Sequence, residues 1–313
     1  MKKFLLLIII AISVIGIYVV QSPTLPLLFK GELVAYRGGG QNIDYDNMDK
    51  SSCGANNQLI SENPYIENTL QSIKHAVDSG FKIIHLNVHY TRDNKFAVFH
   101  DWKVDCATDG KGKVAKMTLE ELIKLDVGYN ATSDQGSSFK FRGKGVKMPS
   151  LSQVFTEFPK KRYWINLKNP NQYSIPALNE FVQASNIKYN NEILYIGNSL
   201  MIETFDKISP KAQVISFNSN KQCFIDYTLY GWSKKFPDTC KNTTIIVPPD
   251  LGKYIWGWPN KFAALAQHNG SKVYAWAKHN PYINQYDNTE NGIGLVLGDI
   301  AGFTNYKYNN KDM

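Results

Sequence analysis

The sequence predicts an α/β fold, a parallel (β/α)8 barrel (TIM barrel) in a single domain. Short apolar runs alternate with longer amphipathic stretches, the pattern of strand–helix–strand units that share a parallel sheet. Nine such runs occur, enough for eight barrel strands and one accessory strand. No linker, internal repeat or low-complexity segment divides the body, and 313 residues suffice for one large barrel.

Residues 1–31 read as a signal or anchor segment followed by a linker, and residues 32–313 as the barrel. Met1-Lys2-Lys3 leads into an apolar run from Phe4 to Val20, interrupted only by Ser13 and Gly16. A basic start followed by an apolar stretch is an export signal. The run approaches the shortest length that spans a bilayer and is long for a signal-peptide core. No Ala-x-Ala site follows in Gln21-Ser22-Pro23-Thr24, and no cysteine offers a lipid attachment point. The expectation is an uncleaved anchor, with the body facing the periplasm or extracellular side. A secreted chain released by cleavage is the alternative.

Leu33 to Tyr36 reads as the first strand, ending in Arg37-Gly38-Gly39-Gly40. Residues 41–66 are rich in Asn, Asp and Ser and read as a long loop. Asn68 to Ser79 is helical, with Leu70, Ile73, Ala76 and Val77 on one face, and Gly80 ends it. Lys82 to His89 and Lys95 to Phe99 are strands. Thr118 to Leu125 is a helix with Thr118 as N-cap and Glu121 at the capping-box position. Ser150 to Phe158 is another helix. The remaining strands are Tyr163 to Leu167, Ile193 to Ile196, Val214 to Phe217, Ile245 to Val247, Val273 to Trp276 and Gly294 to Leu297.

Hydrophobic residues make up 43% and charged residues 20% of the chain, which excludes a multi-span membrane protein. The net charge of +8 is either a solubilising surface or an attraction to anions such as phosphodiesters and phospholipid headgroups. Nucleic acid ranks last, because no basic helix, zinc-finger spacing or RNA-binding signature occurs. In a barrel the functional groups sit at the C-terminal ends of the strands. Those ends carry Tyr36-Arg37, Asn87 to His89, His100-Asp101 and Asn166 to Lys168.

The stretch from Ala35 to Lys168 resembles the glycerophosphodiester phosphodiesterase family. Ala35-Tyr36-Arg37-Gly38 resembles its His-Arg-Gly opening, and Glu67-Asn68-Thr69 its Glu-Asn-Thr helix start. His85-Leu86-Asn87-Val88 stands where the family has Glu-x-Asp-Val, and Thr91-Arg92-Asp93 continues as its Thr-x-Asp turn. His100-Asp101 is similar to the His-Asp pair. Thr108 to Gly112, Thr118 to Leu122 and Pro149-Ser150-Leu151 follow in the family's order. Ile165-Asn166-Leu167-Lys168 stands where it has Ile-Glu-x-Lys. Trp276 and Gly294 to Asp299 match its closing segments more weakly. The resemblance implies hydrolysis of glycerophosphodiesters to an alcohol and glycerol 3-phosphate. It implies two histidines as acid and base, and a magnesium or calcium ion held by three carboxylates.

This sequence departs from that pattern at the decisive positions. Tyr36 stands in place of the first catalytic histidine. His85, Asn87 and Asn166 replace the three metal carboxylates. His100, Arg37, Glu67, Asp101 and Lys168 are kept. Hard cations favour charged oxygen ligands, so the family's cation is expected to bind weakly or not at all, and no other cofactor is expected. His85 and His89 share a strand face with Asn87 between them, which leaves a transition-metal site or hydrogen-bonded pocket residues as the two readings. Keeping Arg37 and Lys168 suggests a net positive pocket that binds phosphate directly. A tyrosine hydroxyl is a poor general base at neutral pH, so Tyr36 is read as a packing replacement or an oxyanion partner.

An exported chain with four cysteines suggests disulfides. Cys53 and Cys106 fall in two loops over the barrel mouth, and Cys223 and Cys240 share one later segment, so Cys53–Cys106 and Cys223–Cys240 are the expected pairs. Substrate contacts are expected from Arg37, Glu67, Lys168 and Trp276, and catalysis, where any remains, from His100, Arg37 and Tyr36.

Three functions follow. The first is a catalytically impaired member that binds a phosphodiester or phospholipid headgroup. The second is a metal-independent phosphodiesterase or phospholipase using His100, His85 and Arg37, as in bacterial phosphatidylinositol-specific phospholipases, whose fold this resembles. The third is an envelope structural or carbohydrate-binding protein, suggested by aromatics such as Trp256 and Trp258.

Overall fold

Apolar runs set the strands, and the polar residues that flank them set where helices begin. In the computed structural model, residues 25–303 are described, apart from 45–46, 49–52, 60–62, 190–191, 249 and 278–288. The apolar run of the expected anchor lies outside the described residues. Among the described residues no helix is long and apolar enough to cross a membrane. Contacts group the chain into two compact units.

The larger unit comprises Leu33–Ser216, Ala277–Gln285 and Val296–Met313. It holds β1 (Leu33–Ala35), β2 (Ile83–Tyr90), β3 (Phe96–Val98), β4 (Arg162–Leu167), β5 (Leu194–Gly197) and β6 (Gln213–Ser216). Five of these strands run parallel in the order β6-β5-β4-β2-β1. β3 pairs antiparallel with β2 and is the accessory strand that the count of nine predicted. β2 is buried along nearly its whole length, as expected of a parallel strand covered on both faces. Its register with β4 sets Asn87 beside Asn166 and His85 beside Trp164.

The helices of this unit are α1 (Leu70–Asp78), α2 (Leu119–Lys124), α3 (Leu151–Glu157), α4 (Ser174–Gln183) and α5 (Ser199–Ile208). Thr69, Thr118 and Ser150 cap the first three, each closing a reciprocal capping box. At Thr118 the hydroxyl accepts from Glu121 N–H at 3.2 Å, and the Glu121 carboxylate accepts from Thr118 N–H at 2.7 Å. Ile73, Phe81, Ile84, Leu86, Tyr163 and Ile165 are fully buried between sheet and helices. A second cluster lies under the long loops: Phe99, Val104, Leu122, Val127, Phe141 and Met148 surround the Cys53–Cys106 disulfide.

The smaller unit comprises Met1–Glu32, Phe217–Trp276 and Tyr286–Leu295. It contains α6 (Phe217–Tyr230), β7 (Thr244–Val247), α7 (Asn260–His268) and β8 (Lys272–Ala277), with β7 and β8 parallel. The Cys223–Cys240 disulfide ties α6 to the segment after it. Leu28 and Phe29 donate their N–H groups to Gln267 Oε1 and so fasten the incoming chain. β9 (Ile293–Leu297) completes the nine strands. Strands alternating with helices in this order are the (β/α)8 barrel class.

Thr118→Ala removes one half of a capping box and leaves a helix-end N–H without its acceptor. It should cost about 1 kcal/mol, read as a lower urea midpoint at unchanged slope, while Thr118→Ser stays near the parent value.

Candidate active site

β1 is short because the chain turns sharply after Ala35. Tyr36–Gly38 forms a single 3-10 turn in which Arg37 takes φ 52°, a left-handed conformation that costs a residue with a Cβ energy. That turn points three groups of Arg37 three ways. Its N–H donates to His85 Nδ1 at 3.1 Å, its carbonyl accepts from Asn68 N–H at 2.7 Å, and its Nη1 lies 3.0 Å from both oxygens of Glu67. Gly40 makes this reachable: a Cβ there would lie 2.4 Å from the Glu67 backbone, so only glycine lets the two segments pass.

His85 stacks on Tyr36 with ring centroids 4.8 Å apart and planes at 23°. Because Nδ1 accepts the Arg37 N–H, the ring is neutral with its proton on Nε2. Burial, followed by the charges of Arg37, His100 and Lys168, holds His85 well below the ordinary histidine pKa. Tyr36 thus packs on the His85 ring, and the Arg37 guanidinium sits 5.1 Å from the Tyr36 ring centre.

Asn87 and Asn68 clasp each other. Asn68 Nδ2 donates to Asn87 Oδ1 at 3.4 Å, and Asn87 N–H donates to Asn68 Oδ1 at 3.1 Å. Asn87 Nδ2 is buried without a hydrogen-bond partner among the described residues. Asn166 stands beside Asn87 by register. The three positions where the family holds its cation are therefore together on β2 and β4.

His100 Nδ1 lies 2.8 Å from Asp101 Oδ1. Asp101 as acceptor places the proton on Nδ1 and leaves Nε2 as the lone-pair nitrogen. Burial first, then Arg37, lowers the His100 pKa well below the usual value, against the opposing pull of Glu67. Burial also raises the Asp101 carboxyl. His89 is fully buried on β2, its ring edge-on to Trp102 at 5.9 Å. Burial together with Lys168 lowers its pKa to about 4, against the opposing pull of the His100 and Asp101 backbone groups beside the ring. Among the described residues no three His, Cys, Asp or Glu side chains converge as a metal-holding group.

Lys168 directly follows β4, and its Nζ lies 5.8 Å from the Trp102 ring centre. Burial lowers its pKa, followed by the charge of Arg37. Arg37 and Lys168 are balanced by Glu67 and Asp101, so the expected net positive pocket is corrected to a neutral one. The sequence count omitted that Glu67 pairs with Arg37 and that Asp101 sits beside His100. Trp276 lies in β8, in the smaller unit. Trp256 and Trp258 have structural roles: Trp256 donates to Thr228 O at 2.9 Å, and Trp258 packs on Phe262. Sequence reasoning missed Asn68 and Trp102 as site residues. Asn68 stands inside a motif read as a helix start, and Trp102 directly follows His100-Asp101.

The site thus gathers histidines, an arginine, a lysine and acids around the ends of β1, β2 and β4 of an α/β barrel. The glycerophosphoryl diester phosphodiesterase family model matches residues 53–296, and the chain belongs to that family. It is 30% identical over 152 residues to a glycerophosphodiester phosphodiesterase of Caldanaerobacter subterraneus, which covers 47% of this chain and 59% of that protein. It is 34% identical over 120 residues to a glycerophosphodiester phosphodiesterase of Bacillus subtilis, covering 38% of this chain and 40% of the relative. The matched region thus spans about half the length of these curated relatives. The glycerophosphoryl diester phosphodiesterase domain of a Mycobacterium tuberculosis protein superposes with a TM-score of 0.64 at 16% identity, over 88% of this chain and 100% of that one. An Oleispira antarctica phosphodiesterase in complex with the product sn-glycerol-3-phosphate superposes at 0.58 with 17% identity, over 90% of this chain and 98% of that one. These likenesses show the barrel fold.

His85 and His89 take a proton more readily in the unfolded chain than in the folded one. Their contribution to stability is complete above about pH 6.5 and is lost as pH falls towards their folded values. Urea unfolding between pH 7 and pH 4 should show stability falling with acid. His89→Gln should flatten the slope by about one proton, or about 1.4 kcal/mol per pH unit. An unchanged slope would contradict the neutral buried state of His89.

Proposed function

We propose that this chain is a family member that holds a phosphate-containing ligand, a phosphodiester or phospholipid headgroup, at the Arg37–Lys168 site and is impaired in the family's cation-dependent hydrolysis. The observation that carries this reading is the Arg37 N–H in His85 Nδ1. A histidine at a ligand position is useful to a metal through its lone pair, and here that lone pair is occupied.

The side chains present do not suit a magnesium or calcium ion. Such ions take charged oxygens, whereas the three positions offer one engaged imidazole and two amides, one with its oxygen facing a neighbouring amide. Arg37 supplies a planar fork and Lys168 a point charge for phosphate oxygens. The relative solved with sn-glycerol-3-phosphate shows that a barrel of this kind accommodates a glycerol phosphate.

The hydrogen bond between His100 and Asp101 favours a second reading, a metal-free phosphodiesterase. A neutral His100 with Asp101 on Nδ1 is a general base ready at neutral pH. A metal-free displacement also needs an acid for the leaving oxygen, ordinarily an imidazolium. Burial and neighbouring cations keep His85 neutral, and Tyr36 replaces the other histidine, so base and acid are not both supplied. We therefore place this reading second. We also propose export, with the apolar run from Phe4 to Val20 as an anchor; both cysteine pairs lie bonded, as suits an oxidising compartment.

Magnesium or calcium titrated calorimetrically into the protein should give no saturable heat at millimolar concentration. The triple variant His85→Glu/Asn87→Asp/Asn166→Glu should gain binding by at least tenfold. Glycerol phosphate release from glycerophosphocholine, abolished by chelator in the parent chain, would refute the impaired reading. Chelator-insensitive release of a cyclic phosphate from phosphatidylinositol would favour the second.

A further inference from the structure

Most of the large apolar side chains that stand exposed belong to the smaller unit. α6 shows why this is not random scatter. Its buried side is marked by Cys223 and Tyr227. At about 100° per residue, Ile225 lies diametrically opposite those two, with Lys221 and Leu229 about 40° to either side. The face that should be polar therefore carries Ile225, 43% exposed, and Leu229, 58% exposed, beside Asn218 and Lys221, while Phe217, 80% exposed, lies about 80° from its centre. Trp232 closes the end of the helix, its indole N–H donating to Leu229 O at 2.9 Å, and is itself exposed. The Cys223–Cys240 disulfide and the bond from the Tyr227 hydroxyl to Trp256 O hold the helix from its inner side, so the outer face is presented on a fixed support.

We infer that this outer face of α6, with Trp232, docks on an anionic bilayer surface. The inference rests on the proposed anchor. Three observations choose a bilayer over a protein partner. First, the apolar run ends at Val20, and residues 21–24, the stretch between it and the described chain, reach at most about 14 Å. Second, Leu28 and Phe29 are fastened to Gln267 and Pro26 O to His268, all in this unit, so the tether enters the same compact unit that carries the face. A unit of this size held that close to a membrane lies against it. Third, the composition suits an interface. Aliphatic residues lie at the centre, an indole occupies the rim where tryptophans collect at membrane boundaries, and Lys221 lies on the same face with Lys235 beyond the helix end, set for anionic headgroups.

The test reconstitutes the full chain into vesicles of phosphatidylcholine and phosphatidylglycerol, with plain or acyl-brominated lipid. The apolar run contains no tryptophan, so quenching by bromine reports the body alone. Expected is tryptophan emission lower in brominated vesicles by up to about a sixth, the share of one tryptophan among six. The difference should be lost in Trp232→Phe and at least halved in Ile225→Asp/Leu229→Asp, with circular dichroism and thermal midpoint of both variants unchanged. A chain that floats with the vesicles but shows equal emission in both lipids overturns the docking face and leaves the anchor standing. Quenching indifferent to these substitutions overturns it as well. Crosslinked pairs without quenching would assign the face to a second copy instead. A chain that fails to float with vesicles overturns the anchor and the docking together.

Discussion

The backbone of Arg37 is the constraint on which the site depends. A left-handed residue with a side chain is unfavourable unless its surroundings over-determine it. Here they do: one N–H, one carbonyl and one guanidinium engage His85, Asn68 and Glu67, which come from β2 and from the loop entering α1. Relaxing Arg37 to an ordinary conformation would release all three at once. Buried polar groups left unpaired are costly, so the strained turn and its partners hold each other in place.

Fixing Arg37 in this way decides the chemistry of its neighbours. A neutral His85 follows from the direction of the Arg37 N–H, and a guanidinium nearby makes protonation of His85 and His100 harder still. Lys168 acts in the same sense on His89. Three histidines kept neutral beside two cations form a region where further positive charge is unwelcome, and Glu67 and Asp101 bring its formal sum to zero.

Much of the fold was legible because its signals are local. All nine strands were anticipated within a residue or two, since each is a short apolar run bounded by polar residues. The capping box at Thr118 follows from spacing along the chain, while the one at Ser150 was not read from it. Both disulfides were anticipated from loop membership. α6 was not legible as a helix with a sidedness, because its apolar residues surround the axis and its outer face imitates a core face. In the site, the identity of the substituted positions was legible and their pairing was not. Nothing in the letters Glu67 and Arg37 says that the two bond, or that Gly40 clears the path between them. That information depends on long-range contacts and appears only when strand and loop meet.

The substitutions make physical sense as a set. A pocket with three carboxylates at these positions, together with Glu67 and Asp101, would concentrate like charges that repel one another unless an ion offsets them. Losing a single ligand would weaken the ion and leave the remaining acids uncompensated and buried. Replacing all three removes that repulsion and the need for an ion in one step. The replacements are side chains able to bond within the pocket: His85 accepts from Arg37, and Asn87 clasps Asn68. A tyrosine at position 36 is consistent with this state, because it gives the neutral imidazole of His85 a flat surface to stack on. Under the proposed role, Arg37 and Lys168 remain to meet a phosphate ester, while His85 and Asn87 join a neutral hydrogen-bonded network. For such phosphate binding, the Arg37–Glu67 frame would be needed whether or not a cation is held, whereas carboxylates at positions 85, 87 and 166 would not.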